Sequence, residues 1–425
     1  MAPPSEPDIV ITGLGVVCPL GVGTGAFADA IGAGRSGIRE IQSFDASALP
    51  VRVAGEVIDF DPKAYVRPRK SLKVMSRDMQ FAVSASAMAT AEAGLSPEDV
   101  DPQRLGVVMG ADRLRTACEE IVLGFAPAIE DGRFDYDKYV RIGIYEGYPL
   151  TFLKNLPNML ASHISIAHDA RGPNNSVYHA EVSSLLAIRE AASVIQRGAA
   201  DVMLCGGASS RMHPLDWARS CLVDKLSHRG DVPSAASRPF DAQRDGQVRG
   251  EGAAVLVLES RRHAEARGAK IWARILGWGA SCKPPTNGHP DDGVALALSI
   301  RATLEATKLE PRDLGHLNAH GLSTVEDDRA EARVLAEVLP GVPVTALKSY
   351  FGNLFAASGA VEMIGSLLAL NRGEIPPTLN YEQPDADCRI EVVRGRPLAS
   401  DRPTAMLINQ TALGQAAAMI IAADG

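Results

Sequence analysis

The sequence predicts a layered α/β fold in which central sheets are sandwiched by helices. Three observations carry that expectation. Short apolar runs recur and mostly end in glycine; they are rich in Val, Ile and Leu without polar alternation; and helix-length segments separate them. Runs of this kind suit strands covered on both faces. With 425 residues and 46% hydrophobic content, the chain has the length and composition of one large packed α/β unit or two ordinary domains.

Taken in order, the strand candidates are residues 8–17 (DIVITGLGVV), 104–111, 201–208, 253–259, 271–281, 316–321, 343–349 and 404–410. Helical segments fall at 78–94, 184–198, 327–339 and 360–372. In the second of these, Leu185, Ile188, Ala192 and Ile195 recur at three- and four-residue steps, which puts one apolar stripe on a helix ending at Gly198. Residues 113–170 break the rhythm with aromatics and charges (FDYDKYVRIGIYEGYP), followed by a short helix near Leu153 to Ile164. Such an insertion forms a cap, a subunit contact or a plain surface excursion. The charged stretch ESRRHAEARGAK marks a boundary near residue 260, dividing the chain into halves 1–260 and 261–425, with no sequence repeat to mark a duplication.

Charge and cysteine usage narrow the function. The net charge is −8, and no Lys/Arg cluster is long enough to track a phosphate backbone, so nucleic acid is not an expected partner. Six cysteines (Cys18, Cys118, Cys205, Cys221, Cys282, Cys388) lie far apart with no CxxC pair, which reads as reduced thiols. The start MAPPSEPD lacks the basic and apolar parts of a signal peptide, and no apolar run approaches the ~20 residues of a membrane span. A cytoplasmic protein is expected. The segment GLGVVCPLGVG lacks GxGxxG spacing and a ribose-binding acid, and His316 and His320 sit in a strand-like segment, so neither nucleotide nor metal chemistry is indicated.

The densest signal is SRPFDAQRDGQVRGEGAAVLVLE at 237–259, a Gly-rich charged loop feeding a buried strand. It resembles the RPFDxxRDGFVxGEGAxxxVLE segment of β-ketoacyl-acyl-carrier-protein synthases. ITGLGVVCPLG, GPNN (172–175), ADVMLCGGA (200–208), NAHGLST (318–324) and LKSYFGN (347–353) match that family in its order. The resemblance spans essentially the whole chain. It implies the thiolase fold, five layers (αβαβα) in two similar halves, and a homodimer or a heterodimer with an active ketosynthase. It also implies acyl carrier protein as partner, with no cofactor beyond the substrate's own phosphopantetheine or CoA arm.

In that family a cysteine at a strand-to-helix turn takes the acyl group, and two histidines, or a histidine and an asparagine, polarise the malonyl thioester. Aligning GPNNSVYHAEVSSLLAIREA on the family's GPNxxxxxACxSxxxAIxxA places Glu181 at the cysteine. His320 falls on the first histidine and Asn353 on the second. Lys348, Asp328, Glu331 and Glu362 match supporting polar residues. Family members close with NSFGFGG, a loop that gates the acyl pocket; here 409–415 reads NQTALGQ, with Leu413 for the gating Phe, Gly414 kept and Gln415 for a Gly.

A carboxylate is a poor acyl carrier, because attack on a thioester gives a hydrolysable anhydride, so Cys-type condensation is not expected. A chain-length-factor-like partner of an active ketosynthase is the leading expectation. The alternatives are a malonyl-carrier-protein decarboxylase, or an acid/base or acyl-transfer enzyme using Glu181, His320 and Asn353. Glu181 as a passive helix-terminus charge and His320 as an inherited buried histidine are the plainer readings. His179 reads as packing or solvent-facing, and Asp241, Arg244, Asp245 and Glu251 as a structural loop network.

Overall fold

The computed structural model describes residues 8–113, 117–284 and 293–424. Ten principal strands order the molecule. The first five are β1 (Ile9–Cys18), β2 (Leu105–Gly110), β3 (Asn174–Val177), β4 (Val202–Ser209) and β5 (Gly252–Ser260). The second five are β6 (Ala273–Cys282), β7 (His316–Asn318), β8 (Val344–Thr345), β9 (Thr404–Gln410) and β10 (Gln415–Ala423). Among the described residues six principal helices join them: α1 (Arg77–Glu92), α2 (Met159–His168), α3 (Ser183–Gln196), α4 (Val294–Thr307), α5 (Val325–Val338) and α6 (Ser358–Arg372).

Pairing repeats between the two sets. β1–β5 and β5–β4 are antiparallel, and β4–β2 and β2–β3 parallel. β6–β10, β10–β9, β9–β7 and β7–β8 follow the same sequence of directions. The two groups of five touch edge to edge only where Ile9–Ile11 pair with Ala273–Ile275. Each half therefore runs βαβαβαββ.

The duplication hidden in the sequence surfaces at one detail. A bulge falls between Ile11 and Gly13 in β1 and between Ile275 and Gly277 in β6. Each is followed by Gly-x-Gly, because the covering helix lies directly on the strand. A Cβ on Gly15 would sit 1.9 Å from the Ala85 carbonyl oxygen of α1, and one on Gly279 2.3 Å from that of Ser299 in α4. Only glycine admits so close a backbone approach.

Burial sorts the layers. Ala254, Leu256 and Leu258 of β5 face inward with α3 and α6, while Val255 and Val257 face the cluster under α1 and α2. The second sheet is covered outside by α4 and α5. The stack is thus helix, sheet, helix pair, sheet, helix, and α3 and α6 form the central layer. Strands buried on both faces explain the unbroken apolar runs. Among the described residues no helix is long and apolar enough to cross a membrane.

Several expectations change. The helix read near Leu153 to Ile164 is two, Thr151–Lys154 and Met159–His168. Pro157 lies between them, and a proline blocks a continuous helix. The second of the two is α2, an ordinary covering helix, so the irregular insertion ends before it. The strands read at 316–321 and 343–349 shorten to three and two residues, because their C-terminal ends turn aside to carry His320 and Lys348. β3 and β10 were not anticipated. β3 is polar because it is an exposed edge, and the Ala-rich β10 lacks the β-branched signal of its neighbours.

Candidate functional site

Glu181 enters the site from a strained turn. After β3 the chain passes through His179 and then Ala180, which adopts φ 46°, a left-handed conformation costing a non-glycine residue about 1–2 kcal/mol. One 3-10 turn, Ala180–Val182, then feeds α3. The His179 amide donates to Ser183 Oγ (2.8 Å), which secures the turn. Glu181 is half-buried at the start of the central helix.

Its neighbours come from four other segments. Asn353 Nδ2 donates to Glu181 Oε1 at 3.2 Å and to Gln247 Oε1 at 3.1 Å. Asn353 Oδ1 accepts from the Phe355 amide (3.0 Å) and from Ser358 Oγ (3.2 Å), which fixes which way the amide faces. Arg211, just past β4, grips Asp112 with two 2.6 Å hydrogen bonds and lies 3.6 Å over the Phe355 ring. Burial raises the Glu181 pKa, and the Arg211 charge, its own backbone amide and Asn353 oppose the rise. Arg211 in turn holds the buried Asp112 carboxyl down despite its burial.

A second polar cluster belongs to the second half. His320 follows β7, and its backbone amide and that of Gly321 donate to Glu331 at 2.7 and 2.9 Å. Burial first, then neighbouring Asp328, pushes the Glu331 pKa up to about 8. Lys348 Nζ donates to His320 Nδ1 at 3.4 Å and to Glu362 Oε1 at 2.5 Å, and Asn409 Nδ2 completes the chain at Glu362 Oε2 (2.8 Å). All four side chains are buried. Burial and the adjacent Lys348 charge hold the His320 pKa well below its ordinary value, so the ring is neutral. A lysine donating to Nδ1 leaves the proton on Nε2, and among the described residues Nε2 has no side-chain or backbone partner. His320 is set to donate toward a carbonyl oxygen.

The structure thus joins Asn353 to Glu181 and Lys348 to His320. No hydrogen bond joins Glu181 to His320 among the described residues. In the closing loop Leu413 is 70% exposed at the tip of the turn. Gly414 (φ 78°) is required there, since a Cβ would fall 1.8 Å from the Lys283 carbonyl oxygen. Gln415 Nε2 contacts His179 Nδ1 at 3.1 Å, tying this loop to the Glu181 turn, so the otherwise exposed His179 has a partner. Asp241, Arg244, Asp245 and Glu251 make local links: Arg244 to Asp385 (2.8 Å), Glu251 to Arg77 (2.8 Å) and Ser210 (2.6 Å), Asp245 to Ser227 (2.7 Å), and Asp241 to backbone amides of 382 and 383.

Asp112, Arg211, Gln247 and Phe355 went unnoticed in the sequence. One signal was present: Gln247 stands at the Phe of the RDGFVxGEG pattern. Among the described residues, no three His, Cys, Asp or Glu side chains gather as a metal site.

Fold and site together define a thiolase-fold, ketosynthase-like protein. Models for the N-terminal and C-terminal domains of beta-ketoacyl synthase match residues 6–264 and 272–382. The chain belongs to the β-ketoacyl synthase family. It is 36% identical over 390 residues to a 3-oxoacyl-[acyl-carrier-protein] synthase 2 of Coxiella burnetii, covering 91% of each. It is 35% identical over 393 residues to an oxytetracycline polyketide putative beta-ketoacyl synthase 1 of Streptomyces rimosus, covering 91% of this chain and 90% of that one. Its structure resembles that of the ishigamide ketosynthase/chain length factor with a TM-score of 0.87 at 28% identity, over 99% of this chain and 100% of that one. A type II polyketide ketosynthase complex with its acyl-carrier protein, AntDE:AntF, matches with a TM-score of 0.83 at 27% identity, over 99% and 100%.

Proposed function

We propose that this is a ketosynthase-like protein of fatty acid or polyketide biosynthesis that does not condense on its own and pairs with a cysteine-bearing ketosynthase as a chain-length-factor-like subunit. The observation that carries this is Glu181 on the strained turn at the head of α3, hydrogen-bonded to Asn353. A carboxylate there holds no acyl group as a stable thioester, and together with Gln247 it takes up both amide hydrogens of Asn353. Acyl chains would reach the site on the phosphopantetheine of an acyl carrier protein, or on CoA.

Two surfaces support a partner. β3 is an exposed edge, paired within the described residues only to β2. The segment before α2 exposes Val122, Leu123, Val140, Ile144, Tyr145 and Phe152, an apolar patch of the kind that marks a contact surface. Co-expression with a cysteine-bearing ketosynthase of the same source, followed by sizing, tests the reading: a one-to-one heterodimer is expected, and a chain that forms only homodimers defeats it.

The neutral His320 with its available Nε2–H favours one second reading, acid/base work on a carrier-bound acyl thioester, with decarboxylation of a malonyl group as its simplest form. Glu181 would act protonated, in line with its raised pKa. Conversion of malonyl- to acetyl-carrier protein, followed by mass spectrometry, should then exceed that of Glu181→Ala; equal conversion removes this reading.

A further inference from the structure

Three parallel strands deliver charged groups to one corner of the molecule. Gly110 of β2 lies beside Val177 of β3 and beside Gly207 of β4, so the segments leaving these strands emerge together. β2 leads to Asp112, β3 to Glu181 and β4 to Arg211. Two acids and one guanidinium therefore share the corner, and which acid receives the planar fork of the arginine decides the charge of the other.

The fork goes to Asp112. Nε and Nη2 of Arg211 donate to its two oxygens at 2.6 Å each. Asp112 is buried and fixed by Ser209 Oγ (2.8 Å) and the Arg113 amide (2.7 Å), and the Phe355 ring supports the guanidinium at 3.6 Å, with Arg249 4.8 Å from the same ring. Glu181 is left with Asn353 on Oε1 and, among the described residues, with no ion pair and no side chain bonded to Oε2. Other elements packed on its turn do not replace the cation. β9 and β10 carry no charged residue, the near end of α6 brings Glu362, which Lys348 and Asn409 take up, and His179 is bonded to Gln415.

We propose that Asp112 is a positioning residue: by taking the Arg211 fork it denies Glu181 an ion pair and keeps Glu181 as the carboxylic acid, with a proton on Oε2 to donate. The proposal rests on the acid/base reading of Glu181 and adds how the fold sustains it. Burial raises the Glu181 pKa and the Asp112 charge adds to the rise, against the Arg211 charge, whereas Asp112, despite its burial, is held below its ordinary value by Arg211. Two carboxyl groups driven apart by their surroundings are the pattern that separates an acid from a fixed charge. A neutral acid can donate to the oxygen of a thioester or an enolate, which a carboxylate would repel.

The test is an infrared pH titration of the full chain, reading the protonated carboxyl band that Glu181→Gln removes; it needs neither substrate nor partner subunit. In wild type the band should titrate with a midpoint above 4.5, the ordinary value for a glutamate. Asp112→Asn frees Arg211 for Glu181 and removes a repelling charge, so the ionisation constant of Glu181 should rise at least about tenfold. Adding Arg211→Met to Asp112→Asn should abolish that rise, whereas a site that had merely loosened would keep it. Asp112→Glu, which retains the charge, should behave as wild type. A wild-type midpoint at or below 4.5, no rise in Asp112→Asn, a rise that survives Arg211→Met, or an Asp112→Glu chain that behaves as Asp112→Asn overturns the proposal. The expected shifts together with malonyl conversion equal to that of Glu181→Ala remove the acid/base reading and leave the positioning role standing.

Discussion

The turn before α3 and the turn before α6 occupy corresponding places in the two halves. Each has a left-handed residue, Ala180 at φ 46° and Phe355 at φ 49°, then one 3-10 turn, then a central helix. Their contents differ. The first presents Glu181, half-buried and raised in pKa, whereas the second presents Ala356 and packs the Phe355 ring between Arg211 (3.6 Å) and Arg249 (4.8 Å). Strain at this turn is therefore a property of the duplicated fold. What the turn does depends on the side chain it carries and on the half that faces it.

Substitutions at the two turns should separate these roles. Phe355→Ala should have the largest effect, a loss of about 3–5 kcal/mol in chemical denaturation, because it empties a buried ring site and leaves two guanidinium groups facing each other. Ala180→Gly should do the reverse and stabilise by about 1 kcal/mol, since glycine accepts φ 46° without a Cβ clash. If both substitutions destabilise alike, the turns are not equivalent backbone events.

Glu181→Gln should give the smallest change, one that depends on pH. The Glu181 carboxyl has a native pKa above its ordinary 4.5, so its favourable contribution is complete below 4.5 and is lost as pH rises through the native value. The Gln variant escapes that loss. Its melting temperature should exceed wild type by about 1 °C near neutrality and match it below pH 4.5. A difference that grows toward acid would show Glu181 to be stabilised as the carboxylate.

Much of this was legible in the sequence because it rests on local chemistry. Apolar runs covered on both faces revealed β1, β4 and β5, and the motifs NAHGLST and LKSYFGN placed His320, Lys348 and Asn353 at the site. What escaped depends on contacts across the chain. Asp112 and Arg211 are 99 residues apart and become partners only when β2 and β4 pair. Phe355 looks like ordinary core, and only the fold shows that it carries Arg211 beside Glu181. β3 and the duplication were obscured for a related reason: an edge strand needs no apolar pattern, and the repeat persists in glycine placement and pairing direction more than in residue identity.

Whether Glu181 has ended condensation while His320 and Lys348 keep a thioester-polarising pair can be measured directly. The direct measurement supplies the purified chain with acyl-carrier protein bearing a short acyl group, together with malonyl-carrier protein, and looks for β-ketoacyl-carrier protein by mass spectrometry. The chain alone is predicted to give none, whether residue 181 is Glu or Ala. A β-ketoacyl product that forms with Glu181 and disappears in Glu181→Ala would contradict the account.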